Sequence, residues 1–293
     1  MSIFLFLILF SIIAYLIGKK KLIYPHRTTF TYYKKNNKPY HPSHLNLPYE
    51  EIDFELEKNL NTKIWLIKNP NSKKIVIYLH GVEESKLFGL PYAKFLYENN
   101  FNVVLFDFRR HGNSNGKFCT YGFYEKYDVK KIIDFILQRN DFQNKKIALM
   151  GISMGAAIAI QTAVIDDRIS CMIAENSFTT LRKIFDDYQR RIIKLPFHYL
   201  RNLVFSRCEK IANFNSKQIS PIEDITNLKI PILFIASQSD DRIAPKYSEE
   251  LYEKATCEKE ILRIENANHI NAIDVEKEKY ISTVISFLDK NLK

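Results

Sequence analysis

The chain has 293 residues, 46% of them hydrophobic, and a formal net charge of +10 at pH 7. This length and apolar content allow a large buried core and indicate one α/β domain with an insertion. The four cysteines have no paired spacing and no Cys/His cluster, which indicates a reducing compartment and predicts no zinc site.

The N-terminus is an apolar segment. Ile3 to Ile17 is apolar except for Ser11, and three lysines follow at 19–21. Residues 1–18 lie at the lower edge of the roughly 17 to 25 residues that span a bilayer. They lack the basic start and the small-residue cleavage site of a secretory signal. We therefore expect an uncleaved single-pass membrane anchor, with a cleaved signal as the alternative. The lysines favour a cytoplasmic catalytic domain, joined to the anchor by a basic linker over residues 19–48.

The positive charge is concentrated in two segments. Residues 19–38 contain seven Lys or Arg and no acidic residue, and residues 178–217 contain nine Lys or Arg against three acidic residues. The rest of the chain is slightly negative, so the charge does not describe a nucleic-acid-binding domain and no nucleic-acid partner is expected. Both segments suit a surface held against anionic lipid headgroups. A solvated charged face is an equally good interpretation of the second segment.

Strand-like runs begin near residue 49 and then alternate with helix-length segments. "EIDFELE" and "KIWLIK" alternate polar and apolar residues, which predicts a half-exposed hairpin. Nearly continuous apolar runs follow: "KIVIYLH", "NVVLFDF", "KIALMGI", "ISCMIA", "IPILFIA" and "EILRIE". Such runs are typical of parallel strands buried on both faces. Amphipathic segments of helical length lie between them: Tyr92–Asn99, Glu125–Arg139, Met154–Val164, Lys246–Ala255 and Val275–Asp289. We predict a mostly parallel, doubly wound α/β sheet within residues 49–293.

One interval interrupts the alternation of strands and helices. Residues 178–228 contain no strand signal and carry aromatic and basic residues in largely helical spacing. A structureless loop of this length is uncommon inside a compact domain. We therefore predict a helical cap inserted over the C-terminal edge of the sheet.

The run "IALMGISMGAAIA" places two of the eight glycines of the chain around one serine. An apolar run precedes Gly151-Ile152-Ser153-Met154-Gly155 and an alanine-rich run follows it. This pattern predicts a strand, a very tight turn and a helix. A serine at such a turn exposes its hydroxyl, and glycines two residues away on each side avoid side-chain clashes. Ser153 is therefore the candidate nucleophile.

A serine nucleophile needs a base and an acid that orients the base. His269 follows the last strand in "IENANHINAID", and loops at the C-terminal ends of parallel strands form the sites of such folds. The other histidine on the C-terminal side of the serine, His198, lies in the predicted cap. Asp240 and Asp241 follow the strand after the cap, and Glu175 ends the strand before it. These three carboxylates are the candidate acids.

Five motifs together resemble the α/β-hydrolase superfamily over roughly residues 50–293. They are "LHG" at 79–81, "DFRRHGNSNG" at 107–116, "GISMG" at 151–155, "DRIAP" at 241–245 and "NANH" at 266–269. Their chain order of Ser, Asp and His is that of the superfamily. The resemblance implies an α/β-hydrolase fold and a serine hydrolase activity that needs no metal or organic cofactor.

The resemblance also ranks the candidate acids. Acid loops of the family tend to read Asp, two residues, Val, Pro, which aligns on Asp241 with Ala244 in the place of the valine. Asp241 is therefore preferred to Asp240, and Glu175 ranks third. Gln238 stands where the family often has a glycine, which leaves the geometry of this loop open.

The resemblance implies one role for each site residue. His269 would deprotonate Ser153, and Asp241 would hold the imidazole in the required tautomer. The backbone N–H groups of Val82 and Met154 would stabilise the oxyanion. An acyl-enzyme would form and would then be hydrolysed by water.

These observations predict a serine hydrolase that cleaves carboxylic esters or thioesters. The apolar N-terminus and the basic segments suggest acyl substrates near a bilayer, such as a lipid, an acyl-CoA or an acylated protein. A serine peptidase or amidase is the alternative enzyme. A non-catalytic, membrane-anchored scaffold on a hydrolase fold is the alternative from another class.

Overall fold

The structure, a computed structural model, describes residue 12 and residues 22–142, 145–193 and 198–293. The predicted anchor, with its cleaved-signal alternative, spans residues 1–18 and lies outside the described residues except for residue 12. Within the described part of the chain, no helix is both long enough and apolar enough to cross a bilayer.

In the described ranges, eight strands form one sheet. They are β1 (Glu50–Glu57), β2 (Leu60–Ile67), β3 (Lys74–Leu79), β4 (Asn102–Phe106), β5 (Lys146–Ile152), β6 (Ile169–Glu175), β7 (Ile232–Ser237) and β8 (Lys259–Ile264). Their order is β1-β2-β4-β3-β5-β6-β7-β8. β2 pairs antiparallel with both β1 and β4, and the remaining pairs are parallel. The predicted mostly parallel sheet with an antiparallel start is confirmed.

Helices connect the strands and cover the sheet. The described residues contain α1 (Phe30–Lys35), α2 (Leu90–Glu98), α3 (Glu125–Gln138), α4 (Met154–Ala163), α5 (Leu181–Ile193), α6 (His198–Ala212), α7 (Pro221–Asp224), α8 (Lys246–Lys254), α9 (Ala272–Val275) and α10 (Lys277–Asn291). Five of these helices coincide, to within two residues at each end, with the amphipathic segments of the sequence. α1 lies in the segment that the sequence assigned to a linker.

Alternate residues of the central strand β3 enter two separate cores. Ile75 and Ile77 belong to the core that also contains α3 and α4. Val76 and Tyr78 belong to the core that contains α2 and α10. Successive side chains of a strand point to opposite faces, and helices cover both faces here. This double burial explains why the strands are nearly continuous apolar runs.

The strand order reverses at β3, and this reversal positions the site. β4 lies on one side of β3, whereas β5 lies on the other. Open α/β sheets bind ligands outside the carboxyl ends of the strands at such a reversal. Leu79 at the end of β3 pairs with Gly151, and Ile152 at the end of β5 pairs with Glu175. The residues that follow β3, β5 and β6 therefore meet at one edge of the sheet.

The interval 178–228 is helical in its described part, where no strand occurs. It contains α5, α6 and α7, with short 3₁₀ helices at Ser216–Gln218 and Ile225–Asn227. Ring contacts join it to the loop that follows β4. The centroids of Phe185 and Tyr121 are 6.2 Å apart, as are those of Phe214 and Phe123. The helical content agrees with the prediction, and the boundaries of a separate cap unit stay a prediction.

The described part of the predicted linker packs against the domain. Leu22 and Ile23 have no exposed surface, and Cys119 donates its backbone N–H to the carbonyl of Ile23 at 3.1 Å. A 3₁₀ helix, Pro42–Leu45, follows α1 in the same segment. Leu22 and Ile23 therefore pack into the core of the domain, and the predicted boundary between linker and domain at residue 48 stays a prediction.

Candidate active site

Ser153 occupies a strained turn between β5 and α4. Its backbone has φ +56° and ψ −119°, a combination that non-glycine residues rarely adopt. A Cβ on Gly155 would overlap the Leu79 carbonyl oxygen, and one on Gly151 would overlap the Gly155 carbonyl. Only glycine fits either position, which accounts for the Gly-x-Ser-x-Gly pattern. Ser153 itself is 7% exposed.

His269 forms a buried pair with Asp240. Its Nδ1 donates to Asp240 Oδ2 at 2.6 Å, and the two side chains are 6% and 0% exposed. The second oxygen of Asp240, Oδ1, accepts the backbone N–H groups of Arg242 and Ile243, each at 2.8 Å. This Asx turn fixes the carboxylate, so that one oxygen faces the loop backbone and the other faces the imidazole.

The structure corrects the choice of acid. Asp241 is exposed, and the carboxylate that reaches His269 is that of Asp240. The family spacing pointed to Asp241 because a short motif records only distance along the chain. Which aspartate faces the histidine is decided by the loop turn, in which the Asp240 side chain caps the two amides that follow Asp241.

Glu175, the third candidate acid, lies close by but bonds elsewhere. Its Oε2 accepts the Tyr280 hydroxyl at 2.6 Å, and its Oε1 is buried without a hydrogen-bond partner. Burial raises the pKa of Glu175 to about 7; the bond from Tyr280 opposes this rise and the charge of Asp240 adds to it. The Ser153 backbone N–H donates to the Glu175 carbonyl at 2.8 Å. Glu175 thus supports the serine turn through its backbone, while its side chain remains a buried titratable group.

Asn176 joins three parts of the site, and the sequence did not single it out. Its Nδ2 donates to Ser237 Oγ at 3.0 Å and to the His269 carbonyl at 3.1 Å. Its Oδ1 accepts the Ser237 backbone N–H at 2.9 Å. The residue has φ +50°, which asparagine tolerates better than most residues. An asparagine directly after a buried strand was the available signal in "IAENS".

The residues predicted to form the oxyanion hole follow β3 and β5. A Cβ built on Gly81 would lie 3.4 Å from Ser153 Cβ and 3.9 Å from its Oγ, so the backbone that leads into Val82 runs against the nucleophile. Met154 is the first residue of α4. Its N–H is one of those that a helix leaves without an internal partner, at the positive end of the helix dipole. Both groups adjoin Ser153, and their action on an oxyanion stays a prediction.

His80 holds the peptide between Gly81 and Val82. Its Nδ1 donates to the Gly81 carbonyl at 2.8 Å, and its Nε2 accepts the Phe108 N–H at 3.1 Å. Complete burial lowers the pKa of His80 to about 4, so the ring is neutral at pH 7. The C=O and N–H of a trans peptide point in opposite directions. By holding the Gly81 carbonyl, His80 therefore also orients the N–H of Val82.

In the described ranges, no group of three or more His, Cys, Asp or Glu residues could hold a metal ion. The expectation that the reaction needs no cofactor stays a prediction. The site brings together a strained serine, an imidazole bonded to a buried carboxylate, and adjacent backbone donors. This set is the one that acyl transfer through a serine requires.

Comparison with known proteins identifies a matching family model and similar chains. Residues 70–221 match the family model described as serine aminopeptidase, S33. The chain is 31% identical over 216 residues to an uncharacterized protein, YqkD, of Bacillus subtilis, a match that covers 73% of this chain and 70% of that protein. It is 27% identical over 232 residues to the protein bem46 of Schizosaccharomyces pombe, which covers 78% and 71%.

A solved structure extends the comparison to the fold. The esterase Pf2001 of Pyrococcus furiosus superimposes with a TM-score of 0.75 at 26% identity, over 93% of this chain and 98% of that one. The similarity in fold therefore extends over almost the whole chain.

Proposed function

Since the chain belongs to the serine aminopeptidase S33 family of α/β hydrolases, we propose that it hydrolyses carboxylic esters or thioesters with Ser153, His269 and Asp240. The observation that carries this proposal is the buried pair of His269 and Asp240 at the same sheet edge as the strained serine turn. A buried carboxylate on Nδ1 is what a histidine acting as general base requires.

The reaction follows from the groups at the site. Asp240 holds the proton of His269 on Nδ1, which leaves Nε2 able to accept the proton of Ser153. The Ser153 oxygen attacks the acyl carbonyl, and the N–H groups of Val82 and Met154 stabilise the oxyanion. His269 then protonates the leaving alcohol or thiol. Water, deprotonated by the same imidazole, then attacks the acyl carbonyl, the bond to Ser153 breaks, and the imidazole returns the proton to the Ser153 oxygen as the acid leaves.

The similarity to an esterase favours an ester over an amide. The similar protein from Pyrococcus furiosus is named an esterase, and its 26% identity extends over almost the whole chain. The family model is named for an aminopeptidase, so a peptidase or amidase is the second candidate. The two activities share the acyl-enzyme and differ in the leaving group, which must be protonated earlier when it is an amine.

The proposed location of the reaction is a membrane surface, with the catalytic domain on the cytoplasmic side. The apolar residues 1–18 and the basic residues 19–38 support an anchored protein. An acyl ester or thioester embedded in the same bilayer would then be delivered by lateral diffusion.

The test uses the full chain in detergent with a fluorophosphonate probe. Labelling and turnover of p-nitrophenyl esters of graded chain length should disappear in Ser153→Ala. Ser177→Ala is the matched control, since Ser177 is a buried serine near the site whose hydroxyl donates to the Phe178 carbonyl; its labelling should persist. A thioester and an aminoacyl p-nitroanilide, measured beside the esters, separate the esterase from the peptidase. A folded wild-type protein that shows neither labelling nor turnover would refute the proposal in favour of the non-catalytic scaffold.

A further inference from the structure

The N-terminal arm, defined here as residues 22–38, crosses the edge of the sheet where the candidate site lies. The Thr28 hydroxyl donates to the Glu83 carbonyl, and Tyr33 donates its hydroxyl to Glu84 at 3.1 Å. Glu83 directly follows Val82, whose N–H is the proposed oxyanion donor. The arm is therefore packed on the loop that forms one wall of the site.

The outer surface of the arm combines exposed aromatic rings with lysines. Phe30 and Tyr32 are 59% and 52% exposed, although aromatic rings of this size are normally buried. In α1 only Tyr33 is buried. Lys34 and Lys35 are exposed at its end, and no described residue forms an ion pair with either one. Aromatic rings beside lysines are the composition found at the interface of a bilayer.

Two arginines, Arg27 and Arg110, lie at the base of the arm. Arg27 donates to the Gly116 carbonyl at 3.1 Å, and the Arg110 guanidinium lies 5.6 Å from the Tyr24 ring centroid. The Nε atoms of both arginines are buried without a hydrogen-bond partner. No described acidic residue forms an ion pair with either arginine. Both side chains are nevertheless only partly buried, and two neighbouring guanidinium groups without a carboxylate match the oxygens of a phosphate.

The positive charges of Arg27 and Arg110 repel each other, and the nearby negative charge does not fully compensate. Burial lowers the pKa of Arg27, the positive charge of Arg110 lowers it further, and Asp107 only partly offsets these effects. Asp107 is already bound to the buried ammonium of Lys86 at 2.7 Å. An external anion at the two guanidinium groups would relieve this repulsion.

In the second basic segment, residues 178–217, arginines do form ion pairs with acidic residues, unlike Arg27 and Arg110. Arg182 lies 3.6 Å from Glu209, and Arg201 pairs with Asp186. Part of its charge is therefore neutralised within the domain, as in an ordinary solvated face. This contrast favours the arm as the basic surface that is available to a partner.

We propose that the N-terminal arm docks on an anionic phospholipid bilayer, with Phe30 and Tyr32 in the interface and a lipid phosphate held between Arg27 and Arg110. The docked arm would turn the mouth of the candidate site toward the membrane, because the arm and the oxyanion loop are bonded to each other. This contact is distinct from the anchor of residues 1–18 and does not depend on turnover at Ser153.

The test is a depth measurement on the full chain reconstituted in vesicles. Phe30→Trp places a fluorophore in the arm, and brominated phosphatidylcholine quenches a fluorophore that enters the interface. Tyr127→Trp is the matched control, since Tyr127 is an aromatic residue of α3 that is 49% exposed. The single native tryptophan, Trp65, is buried, and its emission is subtracted using the unsubstituted chain. Vesicles of phosphatidylcholine alone are compared with vesicles that also contain phosphatidylserine.

The expected result is quenching of the tryptophan at position 30, stronger in anionic than in neutral vesicles, and little quenching at position 127. Arg27→Gln and Arg110→Gln should each weaken docking roughly fivefold, the usual effect of one basic residue at an anionic surface. Arg27→Lys should retain most of the docking.

Equal quenching at positions 30 and 127 in anionic vesicles would overturn the proposal. Quenching that is the same in both lipids and unaffected by the arginine substitutions would assign the contact to the anchor alone. Repeating the series in Ser153→Ala keeps the outcome independent of the proposed function.

Discussion

Replacing Asp240 with asparagine changes one oxygen of a buried carboxylate to an amide nitrogen. Oδ1 of Asp240 accepts two backbone N–H groups, so the carbonyl oxygen of the asparagine must occupy that position. Its NH₂ group then faces His269 Nδ1 in place of Oδ2, which is 2.6 Å away. Because an NH₂ group only donates, Nδ1 must become an acceptor. The ring proton then moves to Nε2, where it prevents the imidazole from accepting the proton of Ser153.

We expect Asp240→Asn to lower kcat by about 10⁴-fold, the effect of placing a triad histidine in the wrong tautomer. This corresponds to about 5 kcal/mol of transition-state stabilisation. Asp241→Asn is the matched control, because that side chain is exposed; its kcat should stay within about twofold of the wild type.

The assay is the hydrolysis of the best p-nitrophenyl ester by the full chain, with thermal unfolding to verify that both variants fold. The reasoning would be refuted if Asp241→Asn lost as much activity as Asp240→Asn. It would be refuted as well if a folded Asp240→Asn retained a tenth or more of the wild-type kcat.

Three further predictions concern the surroundings of the site. Because burial raises the pKa of Glu175 to about 7, above its value near 4.5 in an unfolded chain, the folded protein binds the proton more tightly and its stability falls as pH rises from 4.5 through 7. The free energy of unfolding should fall by about 3 kcal/mol over this pH range, and Glu175→Gln should remove this pH dependence. Urea unfolding at pH 5 and pH 8 measures it, and the same pH dependence in variant and wild type would contradict the prediction. Asn176→Gly keeps the positive φ but deletes the bonds to Ser237 and His269, so kcat should fall about 10- to 100-fold with little change in KM; a change confined to KM would argue against a positioning role. Gly155→Ala drives a Cβ into the Leu79 carbonyl and should lower the free energy of unfolding by about 3 kcal/mol, measured by chemical denaturation, whereas a loss below 1 kcal/mol would mean that the turn relaxes.

The sequence by itself determined the features that depend on local backbone and hydropathy. Continuous apolar runs predicted strands buried on both faces, and the observed cores on the two sides of β3 explain those runs. The glycines around Ser153 predicted the turn, and the structure gives the reason: a Cβ at Gly155 would overlap Leu79, and one at Gly151 would overlap the Gly155 carbonyl. His269 could be named because it follows the last strand, and strand ends gather at one edge of a parallel sheet. Each of these inferences rests on residues that are near one another in the chain.

The tertiary structure decided which distant side chains meet. Adjacent aspartates are equivalent to a sequence motif, but only the Asp240 side chain is turned inward to His269, 29 residues away. Glu175 was an acceptable acid from its position, yet Tyr280, 105 residues away, binds its carboxylate. The N-terminal arm contains only two buried apolar residues before its first proline, Leu22 and Ile23, too few to form a detectable pattern. Their docking depends on a surface built by other parts of the chain, which no local sequence signal records.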